Sequence, residues 1–384
     1  MVNAPFVITL RKIFRAASAR VPPFAVFEGD GSAMFYNVQV GRALAALMVV
    51  YLHVTAMISE RFGSMDWFYP GAAGVDIFFA ISGFLMVTTT AGQWGQPGQW
   101  QGFIVRRLIR IVPLYWLVTA AKLAQMIVVP ALAQRQTLLP WHVVASFLFI
   151  PAWNAEGEAI PLIALGWTLS FEMLFYILFA GALALRLRPV PWLTAVLVGG
   201  AILGLFRTDG WGAEARLLDP LLLEFVFGMA IGMATLSGQR LPVPVALIGL
   251  PVLLLVLVAT NWLDPGWANG HRTLVWGVPG ALILACLVAL EGYWRGRLFR
   301  FACFLGDASY AIYLAHGFVL SIVGVVFTRV FGWRFDWSHW LLVPTFVLAV
   351  AGGVVVHVLI ERPVTDWLRR RWHAARLRRA AQAA

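Results

Sequence analysis

Charged residues are scarce in this chain. They make up 12% of its 384 residues, against 61% hydrophobic residues and a mean hydropathy of +0.80. A soluble globular domain carries roughly 25% charged residues, so the composition excludes that class. Because backbone polar groups must be satisfied internally in a lipid bilayer, long apolar segments cross it as helices. The composition therefore predicts an all-α fold, a polytopic membrane helix bundle.

Acidic residues and cysteines are also few. The chain has 18 Asp and Glu against 29 Lys and Arg, a net charge of +11, and two cysteines. In a soluble protein this excess would point to nucleic acid, but in a membrane protein basic residues mark cytoplasmic loops, so we expect no nucleic-acid partner. Cys286 and Cys303 lie in or beside apolar segments, which indicates neither a disulfide framework nor a metal site.

Ten apolar runs are long enough to cross a bilayer. They fall at about 42–60, 71–91, 108–129, 168–185, 190–206, 216–237, 241–262, 273–290, 304–328 and 340–360. An eleventh run, at 141–153, is shorter than the roughly 20 residues that a spanning helix needs. We therefore expect ten transmembrane helices and one short re-entrant or interfacial segment.

The basic residues set the expected orientation. With both termini cytoplasmic and ten crossings, 21 of the 29 Lys and Arg fall in inner segments and seven in outer ones, with Lys122 inside a span. This asymmetry is what the positive-inside rule expects. A full crossing by 141–153 would place the later basic loops outside, so the rule favours the re-entrant interpretation.

We expect the chain to have three parts. Residues 1–35 form a basic cytoplasmic N-terminal segment without the uninterrupted apolar core of a signal peptide. Residues 36–367 form the membrane domain, and 368–384 an Arg-rich cytoplasmic tail expected to be a solvated helix.

An arginine and a histidine share the first predicted span. Arg42 and His53 are eleven residues apart in the apolar stretch 41–57, which puts them on one helical stripe about 16 Å apart. An ionisable residue inside a span indicates function by default. A structural role, with the histidine hydrogen-bonded to a neighbouring group, is the alternative.

Two further stretches carry charge at a predicted mouth or at membrane depth. Arg106, Arg107 and Arg110 precede the third span; they either meet lipid headgroups or hold a phosphorylated ligand, since guanidinium groups bind phosphate in bidentate fashion. Glu172 lies about one turn inside the fourth span, on the same face as Tyr176. A buried carboxylate needs a partner, and His53 is the obvious one.

The remaining candidates are Asp76, Tyr313 and His316. Asp76 enters from the predicted outer side and requires an arginine, a histidine or water; we interpret it as structural. Tyr313 and His316 lie about one turn apart near the depth of His53, and His316 is either a functional residue or one bonded to a helix carbonyl. The triplet Glu361-Arg362-Pro363 predicts a helix end with a local ion pair, because proline interrupts helices.

Together these residues describe a bundle with a basic inner mouth and a deeper His and Glu. A histidine held by a carboxylate is a competent general base or acyl acceptor, and arginines suit a polyanionic donor, which favours group transfer from a phosphorylated donor. A proton-coupled transporter or flippase uses similar residues, although the paired broken helices of transporters are not evident. A glycosyltransferase with a polyprenyl-phosphate donor and a structural subunit are weaker alternatives.

The chain resembles the integral-membrane acyltransferase 3 family, most closely its bacterial exopolysaccharide O-acylating branch. The resemblance rests on Arg42 and His53 with ten residues between them, and on four further segments in the same order: GVDIFFAISGFLM, RRLIRIVPLYW, WTLSFE and SYAIYLAHG. It covers about residues 36 to 367.

The resemblance implies an enzyme of the bacterial inner membrane that moves an acetyl or other small acyl group from acyl-coenzyme A to a sugar hydroxyl. It implies that His53 is essential, that Arg42 belongs to its site, that Arg106, Arg107 and Arg110 contact the donor, and, more weakly, that Glu172 takes part. No metal is implied. The implied partners are membrane lipid, a polysaccharide or lipid-linked oligosaccharide acceptor, and proteins of polysaccharide assembly.

Overall fold

The computed structural model describes residues 35–63, 65–128, 137–208, 210–330 and 339–383. The predicted N-terminal segment, 1–35, lies outside these residues apart from Phe35. The helices are α1 (Tyr36–Phe62), α2 (Ala73–Thr90), α3 (Gln99–Val128), α4 (Pro140–Phe147), α5 (Gly166–Ala184), α6 (Pro189–Gly204), α7 (Leu222–Leu236), α8 (Val243–Ala259), α9 (Pro265–Gly270), α10 (Val278–Ala289), α11 (Arg297–Asp307), α12 (Ser309–Val325), α13 (Leu342–Val356) and α14 (Arg362–Ala383).

The predicted spans are helical. In the described part of the chain, eight helical segments are long and apolar enough to cross a membrane. Two shorter apolar helical segments, Pro189–Gly204 and Thr273–Ala289, coincide with the predicted fifth and eighth spans. The prediction of a polytopic helical membrane protein is confirmed.

The short eleventh run forms α4 and the start of an irregular loop. Helix α4 has eight residues, a length of about 12 Å, which is too short to cross a bilayer. The chain then continues through residues 148–165 without a helix or strand before α5 begins. This geometry agrees with a re-entrant or interfacial segment.

The predicted helix end at Pro363 is wrong. A π-helical turn, His357–Glu361, joins α13 to α14, which runs on to Ala383. The ring of a proline clashes with the carbonyl four residues earlier, and the wider π-helical turn relieves that crowding. Within the triplet, Glu361 contacts His357, with Nδ1 2.7 Å from Oε2, and Arg362 contacts Asp366, with Nε 3.9 Å from Oδ2.

The predicted ninth span begins later than expected. Residues 304–307 belong to a separate amphipathic helix, α11, and the chain breaks at Ala308 before α12 starts at Ser309. Asp307 therefore ends α11 and does not lie within the span. The apolar residues of α11 merge with those of α12 in a hydropathy profile, which hides the break.

The chain divides into two compact units. The first takes in the chain through Thr89 together with Phe227–Val354, and the second Thr90–Val226 together with Val355–Ala384. The first unit contains α1, α2 and α8 to α12. The second contains α3 to α6 and α14.

Helix α1 is the central element of the first unit, where it contacts α10, α11 and α12. Two glycines from other segments rest directly on its backbone. A Cβ atom at Gly74 would lie 2.2 Å from the carbonyl oxygen of Ala45, and one at Gly306 2.0 Å from that of Gln39. Small residues permit such close helix approaches in membranes, so these glycines fix the position of α1.

The first turn of α1 is capped by a distant carboxylate. Phe35 offers no capping side chain, and Glu291 accepts hydrogen bonds from the backbone N–H groups of Tyr36 and Asn37, both at 2.9 Å. Burial raises the pKa of the Glu291 carboxyl, while these two bonds act in the opposite direction. A carboxylate at this position satisfies orphan donors and complements the helix dipole.

Candidate functional site

Arg42 links α1 to α12. Its side chain is 8% exposed, and its Nη2 and Nε atoms lie 3.0 and 3.3 Å from the Oγ atom of Ser309. Ser309 is the first residue of α12 and is completely buried. The guanidinium group therefore ties the two helices together near their N-terminal ends.

His53 has a defined tautomer. Its Nδ1 atom lies 2.8 Å from the carbonyl oxygen of Val49, one turn earlier in α1. Because a carbonyl can only accept a hydrogen bond, Nδ1 carries the proton and Nε2 of the neutral ring holds the basic lone pair. The side chain is only half-buried, so His53 presents a base from a fixed ring.

His316 repeats this arrangement on α12. Its Nδ1 atom lies 3.0 Å from the carbonyl oxygen of Ile312, so its basic nitrogen is also Nε2. In contrast to His53, His316 is completely buried, and its Nε2 has no hydrogen-bond partner among the described residues. A buried polar atom of this kind is rare in a native structure and calls for an explanation.

The two histidines are neighbours. Their ring centroids are 5.1 Å apart with an interplanar angle of 49°, and the Tyr313 ring lies 6.4 Å from that of His316. Two imidazolium ions at this separation would repel each other in a low-dielectric interior. The arrangement therefore disfavours a positive charge on both rings at once.

These contacts make α1 and α12 parallel neighbours. Arg42 meets Ser309 near one end, and His53 meets His316 farther along both helices. The spacing is eleven residues on α1 and seven on α12, a difference of about 6 Å in helix length, which the long side chain of Arg42 covers. Sequence reasoning missed Ser309. Its position two turns before His316, on the same face of the helix, could have indicated it.

The predicted arginine cluster belongs to the second unit and has an inner and an outer part. Arg106 is exposed, and its Nη2 atom lies 3.5 Å from the Oε1 atom of Gln93. Arg107 turns inward, with its guanidinium carbon 5.7 Å from the ring centroids of both Phe103 and Tyr176. Arg110 is half-buried. The three arginines therefore do not form a single exposed cluster.

Glu172 lies beside Arg107. Its Oε1 atom accepts a hydrogen bond from the Tyr176 hydroxyl, so the predicted shared face of these two residues is confirmed. Arg107 interacts electrostatically with Glu172, Tyr176, Arg106 and Arg110. Glu172 is thus part of a polar group within the second unit, and its pairing with His53 stays a prediction.

Asp76 has an arginine as its partner, one of the three groups expected for it. The completely buried carboxylate takes a bidentate contact from Arg272, with Nη2 2.7 Å from Oδ2 and Nε 3.2 Å from Oδ1. Arg272 also donates to the carbonyl oxygen of Ala72 and lies over the Trp276 ring. Sequence reasoning missed Arg272, which it counted only as an outer-loop residue.

Known proteins match most of the chain. The acyltransferase 3 family, described as an acyltransferase domain, matches residues 35–362. The exopolysaccharide production protein ExoZ of Rhizobium meliloti (strain 1021) is 33% identical over 306 residues, which is 77% of this chain and 90% of ExoZ. No solved structure matches the chain.

A second relative is a longer protein. The peptidoglycan O-acetyltransferase OatA of Listeria monocytogenes serovar 1/2a is 28% identical over 316 residues, 73% of this chain. The chain spans about half the length of OatA, 48%. The similarity therefore extends to relatives named for different glycans, exopolysaccharide and peptidoglycan.

We expect the Asp76–Arg272 pair to be structural, and substitution tests this. Asp76→Asn leaves the Arg272 guanidinium without its counter-charge and should destabilise the protein by about 3 kcal/mol or more, measured as a lower melting temperature in detergent. The matched control is Asp366→Asn, which breaks the exposed 3.9 Å Arg362–Asp366 pair and should cost less than about 1 kcal/mol. Equal shifts for the two variants would contradict the structural role.

Proposed function

Because the chain belongs to the acyltransferase 3 family, we propose that it is a membrane O-acyltransferase that moves an acetyl or other small acyl group from acyl-coenzyme A to a sugar hydroxyl. The acceptor is an exopolysaccharide or another cell-surface glycan. The family match makes the chain an acyltransferase and so favours the enzyme over the transporter. The similarity to ExoZ over most of both chains supports the exopolysaccharide acceptor.

The observation that carries the proposed chemistry is the fixed orientation of His53. The Val49 carbonyl holds Nδ1–H at 2.8 Å, so the lone pair on Nε2 is available at a half-buried position. In serine hydrolases a carboxylate plays this orienting role and stabilises the imidazolium ion. In this chain the backbone carbonyl of Val49 plays the orienting role. Nδ1 of His53 therefore does not need Glu172 as its partner.

Two routes of acyl transfer can use His53 as base or acyl acceptor. In the first, Nε2 of His53 takes the proton of the sugar hydroxyl, the oxygen attacks the thioester carbonyl, the C–S bond breaks, and the thiolate leaves with the proton from the imidazolium. In the second, Nε2 attacks the carbonyl and the C–S bond breaks, so the thiolate leaves; the sugar hydroxyl then displaces the imidazole from the acyl group, and its proton goes to the thiolate, which departs as the thiol. In both routes the Val49 carbonyl stabilises the cationic ring.

The remaining assignments extend the proposal. Arg106, Arg107 and Arg110 hold the phosphates of the donor, Arg42 keeps α1 in register with α12, and His316 is the neighbouring proton site. The protein resides in a bacterial inner membrane with both termini in the cytoplasm, as the distribution of basic residues supports. Its partners are membrane lipid, the glycan acceptor and proteins of polysaccharide assembly.

His53 tests the proposal most directly. His53→Ala removes the base in both routes and should lower acyl transfer to the polysaccharide by about 10²-fold or more, with folded protein still present in the membrane. The measurement is the O-acyl signal in NMR spectra of polysaccharide from cells that carry each variant. Retained O-acylation in cells with normal amounts of the variant would refute the assignment.

His316 should affect the reaction without binding the donor. His316→Phe keeps the ring that packs on His53 and removes both nitrogens, so a proton-site role predicts a loss of about tenfold or more in the transfer rate and an altered pH profile. The Michaelis constant for the donor should not change. Packing alone would be indicated if the Phe variant kept the wild-type rate and profile.

Arg106 distinguishes donor binding from lipid anchoring. Losing a charge-assisted hydrogen bond to phosphate should raise the Michaelis constant for acyl-coenzyme A about tenfold or more, measured with purified enzyme. Arg188→Ala is the matched control, because Arg188 is an exposed arginine of the same unit that is also predicted to lie on the inner side. If Arg106→Ala has an unchanged Michaelis constant for acyl-coenzyme A, Arg106 contacts lipid headgroups and does not bind the donor.

A further inference from the structure

A cavity of about 290 Å³ lies within the second unit, apart from the residues considered so far. Ligand pockets usually have volumes from about 300 Å³ upward, so this one has room for one small ring. Its walls come from the irregular loop 148–165, the first turns of α5 and the segment before α7. The lining residues are Pro151, Ala159, Ile160, Pro161, Trp167, Ser170, Phe171, Arg207, Arg216, Leu217, Asp219 and Leu221.

The loop wall of this cavity is held in place by hydrogen bonds. The hydroxyl of the buried Ser146 accepts a bond from the N–H of Leu162 at 3.0 Å, and its carbonyl accepts one from the Tyr115 hydroxyl at 2.8 Å. Phe149, at a φ of 61°, stacks on the Tyr115 ring with centroids 4.4 Å apart. Long loops without regular structure are usually functional or disordered, and these contacts indicate an ordered, preformed wall.

One side of the cavity is polar and carries both signs of charge. Arg207 donates to the carbonyl oxygens of Leu218 and Ala215, at 2.9 and 3.3 Å. Its Nη2 atom lies 3.8 Å from Oδ2 of Asp219, whose Oδ1 accepts from the N–H of Leu221. The 3.8 Å contact is longer than a hydrogen bond, so the carboxylate and the guanidinium can each bond a hydroxyl group placed between them.

The other side is aromatic. Trp167 and Phe171 lie one turn apart on α5 with their rings edge to face and centroids 5.9 Å apart. At the margin, the Arg216 guanidinium lies 5.9 Å from the centre of the Trp153 ring. Aromatic rings offer an apolar face at low entropic cost, and the C–H face of a pyranose ring stacks on such a surface.

We propose that this cavity binds a pyranose ring of the glycan acceptor, with the ring stacked on Trp167 and its hydroxyls between Arg207 and Asp219. The Asp219 carboxylate beside Arg207 disfavours a phosphate group at this position, and an acyl chain would leave the polar side unsatisfied. A sugar satisfies both sides, because each hydroxyl donates one hydrogen bond and accepts others. The distribution of basic residues places Arg207 and Arg216 in outer segments, on the side of the membrane that faces the cell surface.

This inference rests on the proposed function for the identity of its ligand, and its test is a binding measurement that needs no transfer. The full chain in lipid nanodiscs, free of glycoside detergents, is mixed with methyl glucopyranoside, methyl galactopyranoside or methyl glucopyranosiduronate, and saturation-transfer NMR reports which sugar protons contact the protein. We expect signal on the C–H face of at least one pyranoside. Trp167→Ala should weaken binding about tenfold, and Asp219→Asn should weaken it as well.

Matched controls separate the cavity from its surroundings. Trp141→Ala removes a tryptophan of the same unit that is 57% exposed and does not line the cavity, and it should leave binding unchanged. His53→Ala should also bind the sugar, so loss of transfer with intact binding separates the two hypotheses. The inference is overturned if no pyranoside binds, if Trp167→Ala and Trp141→Ala bind equally, or if inorganic phosphate displaces the sugar.

Discussion

In the first unit, the hydrogen bond from Nδ1 of each of two histidines to its own helix fixes which ring nitrogen carries the proton. Val49 holds His53 and Ile312 holds His316, both through carbonyl oxygens one turn earlier. These bonds leave Nε2 as the base on both rings, and the 5.1 Å separation of the rings makes their protonation mutually dependent. Exposure then distinguishes the two rings: His53 is half-buried, whereas His316 is completely buried.

His53 and His316 are neighbours only because two helices that are distant in sequence, α1 and α12, lie side by side. Glycines bring α1 to within backbone contact of its neighbours, and the Arg42–Ser309 bonds fix the register of α1 against α12. Side chains lack water as a partner inside a bilayer, so every polar group there that finds a protein partner also constrains helix position. The Asp76–Arg272 pair does this between α2 and the residue that precedes the helical segment Thr273–Ala289.

The helices could be predicted from the sequence more fully than the contacts between them. Hydropathy alone located the ten apolar helical segments found in the described part of the chain, because a span must be about 20 residues long and apolar. It failed at Pro363, where a π-helical turn lets the helix continue, and at Asp307, where a break is hidden among apolar residues. The candidate site shows the same difference. His53 and Arg42 were evident from the cost of an ionisable residue in a span, but Ser309 and Arg272 were not, since partners 267 and 196 residues away in the chain leave no local periodicity.

Helix α5 shows how a single motif can serve two purposes. In the segment WTLSFE, Trp167, Ser170 and Phe171 line the cavity, whereas Glu172 bonds Tyr176 and interacts with Arg107. Successive helical residues are turned by about 100°, so Phe171 and Glu172 face different surroundings by geometry alone. A substitution at Glu172 and one at Phe171 should therefore change different properties, the arginine cluster in the first case and the sugar-sized cavity in the second. The motif therefore faces two separate surroundings on one helix, the cavity and the polar group around Arg107.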